Sequence, residues 1–264
     1  AVNTGYFGGM SPVHSTVPAE ATRPCMSAAQ ILELQKWGSE ILSHGKYHVI
    51  FKDYPLALPA NAGDNKIYHS RPWFAYRQNL TYTLTEGTTV ETFTINAVNA
   101  VDGKGEITLT SPLTNSFTTN ARIQITKASL NAVVQGCLDD LANLGIICKT
   151  HVLAFYESNT TTLGWVGELV DNIVTTIGTN NPDVINEKDI KRTQDIVLVD
   201  KATIDSWLDD AINNDWVIFV QGHGDTNAKA IENLTYIISE CYRRGVRILP
   251  HSKGMEYWRK RNDA

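Results

Sequence analysis

The sequence predicts an α/β protein built from parallel strand–helix units that are interrupted by a small antiparallel β module. Helices with one apolar face alternate with nearly continuous apolar runs before residue 52 and after residue 127, a pattern typical of parallel β/α architecture. The stretch between is rich in Thr and β-branched residues of alternating polarity, as in antiparallel strands. We therefore predict a first part of the β/α fold at 1–51, an inserted β module at 52–127 and a second part at 128–264.

The first β/α unit is predicted from a capped amphipathic helix, SAAQILELQKW. Ser27 suits the N-cap because its hydroxyl accepts from free helix N–H groups. Gly38 suits the C-terminal end because glycine readily adopts the left-handed conformation found there. We expect a strand to follow at 39–43.

The second unit begins with a helix whose apolar residues recur at helical spacing from Leu130 to Leu144 and which Gly145 ends,. We expect a strand over 146–155. The remaining predicted elements are a strand at 196–199, a helix at 203–213, a strand at 216–220, a helix at 228–244 and a strand at 246–249. An open sheet and a barrel both fit this order, and both gather ligands at the C-terminal ends of their strands.

Composition narrows the class of partner. The chain has 264 residues, 42% of them hydrophobic, and a net charge of -5. A negative net charge disfavours nucleic acid as a partner, because the phosphates of nucleic acids are bound by clustered Lys and Arg. No apolar run reaches the roughly 20 residues that span a bilayer, and the 4 cysteines show no CxxC spacing, which disfavours a zinc knuckle.

Two histidines four residues apart follow the first predicted strand, in SEILSHGKYH. His44 and His48 lie on one face if this segment turns helical, and two neutral imidazoles then converge on one cation. The alternative is a chance spacing among 7 histidines. His223 follows the strand predicted at 216–220, so a parallel sheet or barrel brings it towards the same edge. His251 is a weaker candidate, and Asp225 is a ligand, an orienting group or a solvated carboxylate.

The run from Met26 to His44 resembles the helix–strand passage of the polysaccharide deacetylases, the NodB-homology group or carbohydrate esterase family 4. There a helix ending in Leu-Gln-x-x-Gly-x-Glu-Ile leads into Ser-His-x-x-x-His, a pattern that this chain matches at 34–48. Residues 138–146 are similar to the family's next helix and strand start, and residues 215–223 to a late strand that ends in a histidine.

The resemblance implies a distorted (β/α) barrel that removes acetyl groups from a glycan with a divalent metal, usually zinc. His44 and His48 then correspond to two metal ligands and His223 to a catalytic histidine, while Tyr156, at the position of a family tyrosine, is the second catalytic candidate. Such a metal polarises the acetyl carbonyl and lowers the pKa of its bound water, while a carboxylate acts as base.

The chain departs from the family at the motif that supplies the base and the third metal ligand. That motif is a Thr-Phe-Asp-Asp run on the opening strand, and AVNTGYFGG at residues 1–9 has no carboxylate. If the chain corresponds to the family from its second strand onward, the first strand lies upstream of Ala1. The motif around Tyr156 lacks its proline, and Asp139 and Asp140, on a predicted helix, are poor substitutes.

Three functions therefore stay open, the last of which is an unrelated β/α enzyme. The first is a catalytically impaired, glycan-binding or structural module of a larger extracellular, cell-surface or virion protein, whose partners are polysaccharide or peptidoglycan and other subunits of an assembly. The second is an active metal-dependent glycan deacetylase whose missing aspartates come from another segment or chain. Trp73, Tyr76 and Trp165 are candidates for stacking on sugar rings, and buried packing is the alternative for each.

Overall fold

The computed structural model describes residues 1–12, 22–71, 75–178, 180, 186–222 and 228–262. These residues form two compact units. Unit 1 comprises Ala1–Trp37 and Ile41–Ile173, and unit 2 comprises Gly38–Glu40 and Val174–Ala264. Within the described ranges, every helix is too short or too polar to cross a lipid bilayer.

A long run of strands separates the first helix from the second, and three helices end the described chain. In chain order they are β1 (Met10–Pro12), β2 (Thr22–Pro24), α1 (Ala28–Lys36), β3 (Tyr54–Pro55), β4 (Lys66–His69), β5 (Thr81–Glu86), β6 (Thr89–Val101), β7 (Lys104–Leu109), β8 (Arg122–Ile125), α2 (Lys127–Asn143), β9 (Thr150–Val152), α3 (Thr160–Gly167), β10 (Asn172–Ile177), β11 (Ile190–Arg192), α4 (Lys201–Asn213), α5 (Ala228–Arg244) and α6 (His251–Asn262).

The predicted start and end of α1 and the predicted end of α2 are present, whereas the residue that caps α2, Thr126, was not predicted. Ser27 caps α1 in a capping box with Gln30, and Gly38 follows with φ +90°. Thr126 caps α2 by accepting from the Ser129 N–H. These local signals satisfy free backbone groups at the helix ends, which is why sequence alone locates them.

An antiparallel sheet fills the stretch predicted as a β module. Its six strands run in the order β3-β8-β5-β6-β7-β4, and the sheet is curled like half a barrel. The register shifts between Ile95 and Ala97 of β6, and such a bulge bends a strand. Helix α2 packs Leu130, Val133 and Val134 into the same core as the inward side chains of the sheet.

Parallel contacts in unit 1 are short and involve three segments. Ser43 bridges in parallel to Val2 and also to His151. The strand predicted at 39–43 is therefore reduced to a single bridging residue, and the one predicted at 146–155 is reduced to β9. Val2, before helix α1, is thus a parallel neighbour of Ser43, after that helix.

Unit 2 departs most from the predicted strands. Strand β10 pairs in parallel with β11 at Val174 and Ile190, but the strand predicted at 196–199 is a 3-10 turn, Ile196–Leu198. The reason is tertiary: the buried Asn233 side chain of α5 donates to the carbonyls of Ile196 and Val199, at 2.7 and 3.0 Å.

The last two predicted strands are wrong: residues 216–220 and 246–249 are described by the structure and form no strand. Only Gln221, beyond the first of them, bridges in parallel to Asp195. Helices α4 and α5 match their predicted ranges closely, whereas α3 and α6 were not predicted. The described residues therefore show a mixed α/β fold with a curled antiparallel sheet.

Candidate histidine site

The loop that carries the histidine pair is fixed by backbone hydrogen bonds. The N–H of His44 donates to the Val2 carbonyl at 2.9 Å, and the N–H of Lys46 donates to the Val133 carbonyl at 2.7 Å. Gly45 has φ +81°, and a Cβ there would lie 2.9 Å from Val133 Cγ1. The segment is thus a glycine-dependent loop, and the helical turn expected after Ser43 is not formed.

The loop nevertheless brings the two imidazoles together. The ring centroids of His44 and His48 are 4.8 Å apart, with the rings inclined at 66°. The His48 ring also packs against the Phe155 ring, with the two ring centroids 4.4 Å apart. The proximity that the i, i+4 spacing suggested is therefore present, but it arises from the loop conformation.

The orientation of His44 is set by a carbonyl group. Nδ1 of His44 lies 2.6 Å from the carbonyl oxygen of Val152. Since a carbonyl only accepts, we assign the hydrogen to Nδ1, which leaves the lone pair of the neutral ring on Nε2. Burial of the ring, and then the neighbouring His48, hold the pKa of His44 well below its usual value. The ring is therefore neutral near pH 7, as a metal-binding imidazole must be.

The opening segment of the chain surrounds the histidine loop without a carboxylate. The side-chain amide of Asn3 donates to the carbonyls of His44 and Gly45 at 2.6 and 3.0 Å. The Gly5 N–H donates to the Lys46 carbonyl at 2.8 Å. The polar groups at this position bind the loop backbone, and no acidic side chain of the described residues forms a metal-binding group with the two imidazoles.

The two aspartates of helix α2, Asp139 and Asp140, bind other side chains. Asp140 accepts from the Thr4 hydroxyl at 2.6 Å and lies 3.4 Å from the Lys46 ammonium group. Asp139 accepts from the Gln135 amide at 2.7 Å. Among the residues that the structure describes, no group of three His, Cys, Asp or Glu side chains is placed to hold a metal ion.

A strained turn after β9 completes the surroundings of the pair. Phe155 and Tyr156 have φ of 56° and 60°, in the left-handed region that costs a non-glycine residue of the order of 1 kcal/mol or more. The next residue, Glu157, accepts from the Tyr54 hydroxyl and from the Arg71 guanidinium. These contacts tie the turn to the β module and hold Phe155 against His48.

His151 is a third histidine near the pair. It is 1% exposed, its Nδ1 lies 3.0 Å from Ser43 Oγ, and its ring stacks on Phe51 at 5.8 Å. Burial lowers the pKa of His151 to about 3. The apolar run VLAF that follows His151 was the sequence signal of its burial. The contacts described here give His151 a structural role.

Three of the other residues predicted as catalytic or sugar-binding, Tyr76, Trp165 and Tyr156, lie in the described part of the chain. Tyr76 is 2% exposed and packs on His69 with ring centroids 4.2 Å apart, so the structure gives it the core role that was the alternative to sugar stacking. Trp165 is partly buried against the same core, and Tyr156 lies in the strained turn. His223, Asp225 and Trp73 lie outside the described residues.

A scan against protein-family models finds none that matches this chain, and a search of curated protein sequences finds no significant match.

Proposed function

We propose that this chain is a polysaccharide deacetylase-like domain that has lost hydrolytic activity and serves as a glycan-binding or structural module of a larger extracellular or virion protein. Its fold is then a distorted, incomplete version of the family's β/α barrel, with the antiparallel sheet as an insertion. The support is the histidine pair together with the residues of the opening segment that lie beside it.

The observation that carries the proposal is the side-by-side arrangement of Val2 and Ser43. It supports taking residues 1–3 as the counterpart of the family's opening strand, where the resemblance expects paired aspartates. The residues that follow Val2 are Asn3, Thr4 and Gly5, and Asn3 binds the loop carbonyls. A general base and an acidic metal ligand are therefore replaced by groups that stabilise the loop.

The donor set fits a hydrolytic metal centre only in part. His44 and His48 would supply two neutral nitrogen ligands, whereas such centres normally use three protein ligands and an open position for water. The described residues provide no third ligand beside this pair. We therefore derive no hydrolytic step through a metal at this site.

The proposal is tested by measuring zinc binding and acetate release together. Purified protein is titrated with zinc in a calorimeter and incubated with acetylated chitooligosaccharides and peptidoglycan. We expect weak zinc binding and no acetate above the rate of a heat-denatured sample. Enzymatic acetate release that requires zinc, and that is lost in H44A, would contradict the proposal.

A second candidate function is an active zinc-dependent deacetylase. The Val152 carbonyl favours it, because that contact leaves the His44 ring in the tautomer that a metal ligand needs,. In this alternative His223 assists catalysis and another segment or chain supplies the missing aspartates. Zinc-dependent acetate release that is lost in H223A as well as in H44A would support it.

A further inference from the structure

The guanidinium of Arg77 has no anionic partner in the part of the chain that the structure describes. It lies 4.5 Å from the centre of the Tyr47 ring and 6.0 Å from that of Tyr6. The residue is half-buried, and within the described ranges its side chain makes neither a hydrogen bond nor an ion pair. By contrast, Arg71 contacts Glu157 and Arg122 lies 3.5 Å from Asp53.

The aromatic surface under Arg77 is firmly held. The rings of Tyr6 and Tyr47 lie 5.9 Å apart at 61°. Gly5 packs directly on Tyr47, since a Cβ there would be 2.5 Å from Tyr47 Cε1. A guanidinium stacked on such rings is oriented without being neutralised. Its planar set of N–H donors matches the two oxygens of a carboxylate.

The position of Arg77 relates it to the histidine pair. Tyr47 directly precedes His48 in the loop, and the Tyr6 hydroxyl hydrogen-bonds the backbone of His48. An anion bound by Arg77 therefore lies at the margin of the candidate site. The net charge of -5 does not attract anions to the protein as a whole, so binding here would depend on this local cation.

We propose that Arg77, with the Tyr47 and Tyr6 rings, binds the carboxylate of an acidic glycan. The choice of a glycan rests on the function proposed above. The choice of an acidic residue in that glycan rests on the unpaired guanidinium alone. Tyr47 supplies an apolar surface for the sugar next to the charged contact.

The experiment compares two matched ligands and three variants by calorimetry. The ligands are a hexamer of galacturonic acid and its methyl ester, which differ in carboxylate charge. The variants are R77Q, R77K and the control R122Q, which removes an arginine that already has a carboxylate partner. Thermal melting of each variant checks that it remains folded.

We expect the acid to bind at least tenfold more tightly than the ester, and R77Q to abolish this difference while R122Q keeps it within about twofold. R77K should retain part of the preference because it keeps the charge without the planar donor set. Raising the salt concentration should weaken binding of the acid selectively.

Three results would overturn the inference. They are equal binding of acid and ester by the unmodified protein, equal effects of R77Q and R122Q, and binding of pentaglutamate as tight as that of the acidic hexamer. If both hexamers bind equally, the glycan-binding function stands and only the role of Arg77 is lost. If neither hexamer binds, the glycan-binding part of the proposed function loses its support as well.

Discussion

Nδ1 of His44 lies 2.6 Å from the carbonyl oxygen of Val152, a residue 108 positions later in the chain. This contact fixes the ring plane and the tautomer of His44 and directs its free nitrogen away from β9. The same segment contains His151, which hydrogen-bonds Ser43, and Phe155, which packs against the His48 ring. The segment after α2 therefore determines the geometry of the histidine pair as much as the loop that carries it.

Zinc binding should depend on both histidines. In H44A or H48A we expect zinc affinity to fall about tenfold or more, because each change removes one of the two nitrogen ligands that the described site offers. Calorimetric titration measures the affinity. The control H251Q alters a histidine at the start of α6 and should bind zinc as the unmodified protein does; equal losses in all three variants would contradict a site at the pair.

Stability should fall on acidification because two buried histidines resist protonation. Burial lowers the pKa of His151 to about 3, and burial, with a smaller contribution from Arg71, lowers that of His69 to about 3. An unfolded histidine titrates near pH 6.5, so the unfolded state binds more protons between about pH 6.5 and 3. Unfolding free energy therefore decreases as the pH falls through this window, by up to roughly 1.4 kcal/mol per pH unit for each ring.

The variant H151F isolates one of these contributions. Denaturant unfolding between pH 6.5 and 4.5 should give a shallower pH dependence in H151F than in the unmodified protein, whatever its absolute stability. His44 also contributes in this direction, since its pKa is lowered. An unchanged slope in H151F would show that this ring is not buried in its neutral form.

Gly105 should be intolerant of any side chain. A Cβ at this position would lie 2.2 Å from Cε1 and Nε2 of His69 and 3.0 Å from the Arg71 carbonyl oxygen. We expect G105A to destabilise the protein by about 1 to 3 kcal/mol, because the buried His69 ring cannot move away without disturbing the core. The measurement is the midpoint of urea unfolding.

Gly164 provides a matched control for the same substitution. It lies within α3, and apart from its chain neighbours and the local helix backbone, no atom of the described residues lies within 4 Å of the position that a Cβ would take there. G164A should stabilise the protein by about 0.5 to 1 kcal/mol, because alanine loses less backbone entropy in a helix. Destabilisation of similar size in both variants would mean that Gly105 is not closely packed.

The Glu157 contact should be visible in the titration of Tyr54. Burial, followed by the hydrogen bond to Glu157, raises the pKa of Tyr54 to about 12. A carboxylate that accepts from a phenol favours the neutral phenol, so E157Q should lower this pKa towards 10. Tyrosine absorbance against pH measures it, with Y54F assigning the signal. No change between E157Q and the unmodified protein would rule out the contact.

Asn233 should be essential to unit 2. Replacing it with alanine leaves the carbonyls of Ile196 and Val199 without the amide that binds them, so N233A should cost about 2 kcal/mol or more. The exposed Asn214, at the end of α4, offers a control, and N214A should change stability by less than about 0.5 kcal/mol. Chemical denaturation of both variants makes the comparison.

The sequence by itself determined the features whose signals are local. Ser27 and Gly38 mark α1 because a cap and a left-handed residue act on adjacent backbone groups. The alternation of polarity marked the antiparallel strands, and the spacing of His44 and His48 indicated a pair. In each case the residues that form the feature are neighbours in the chain.

Only the tertiary structure decided which distant segments meet. The run at 196–199 is as apolar as a strand, yet the Asn233 amide holds it in a turn, and Val2 proved to be the parallel neighbour of Ser43. The tautomer of His44 likewise depends on a carbonyl 108 residues away. Such contacts follow from how whole elements pack, because a hydrogen bond between remote segments leaves no pattern in either segment alone.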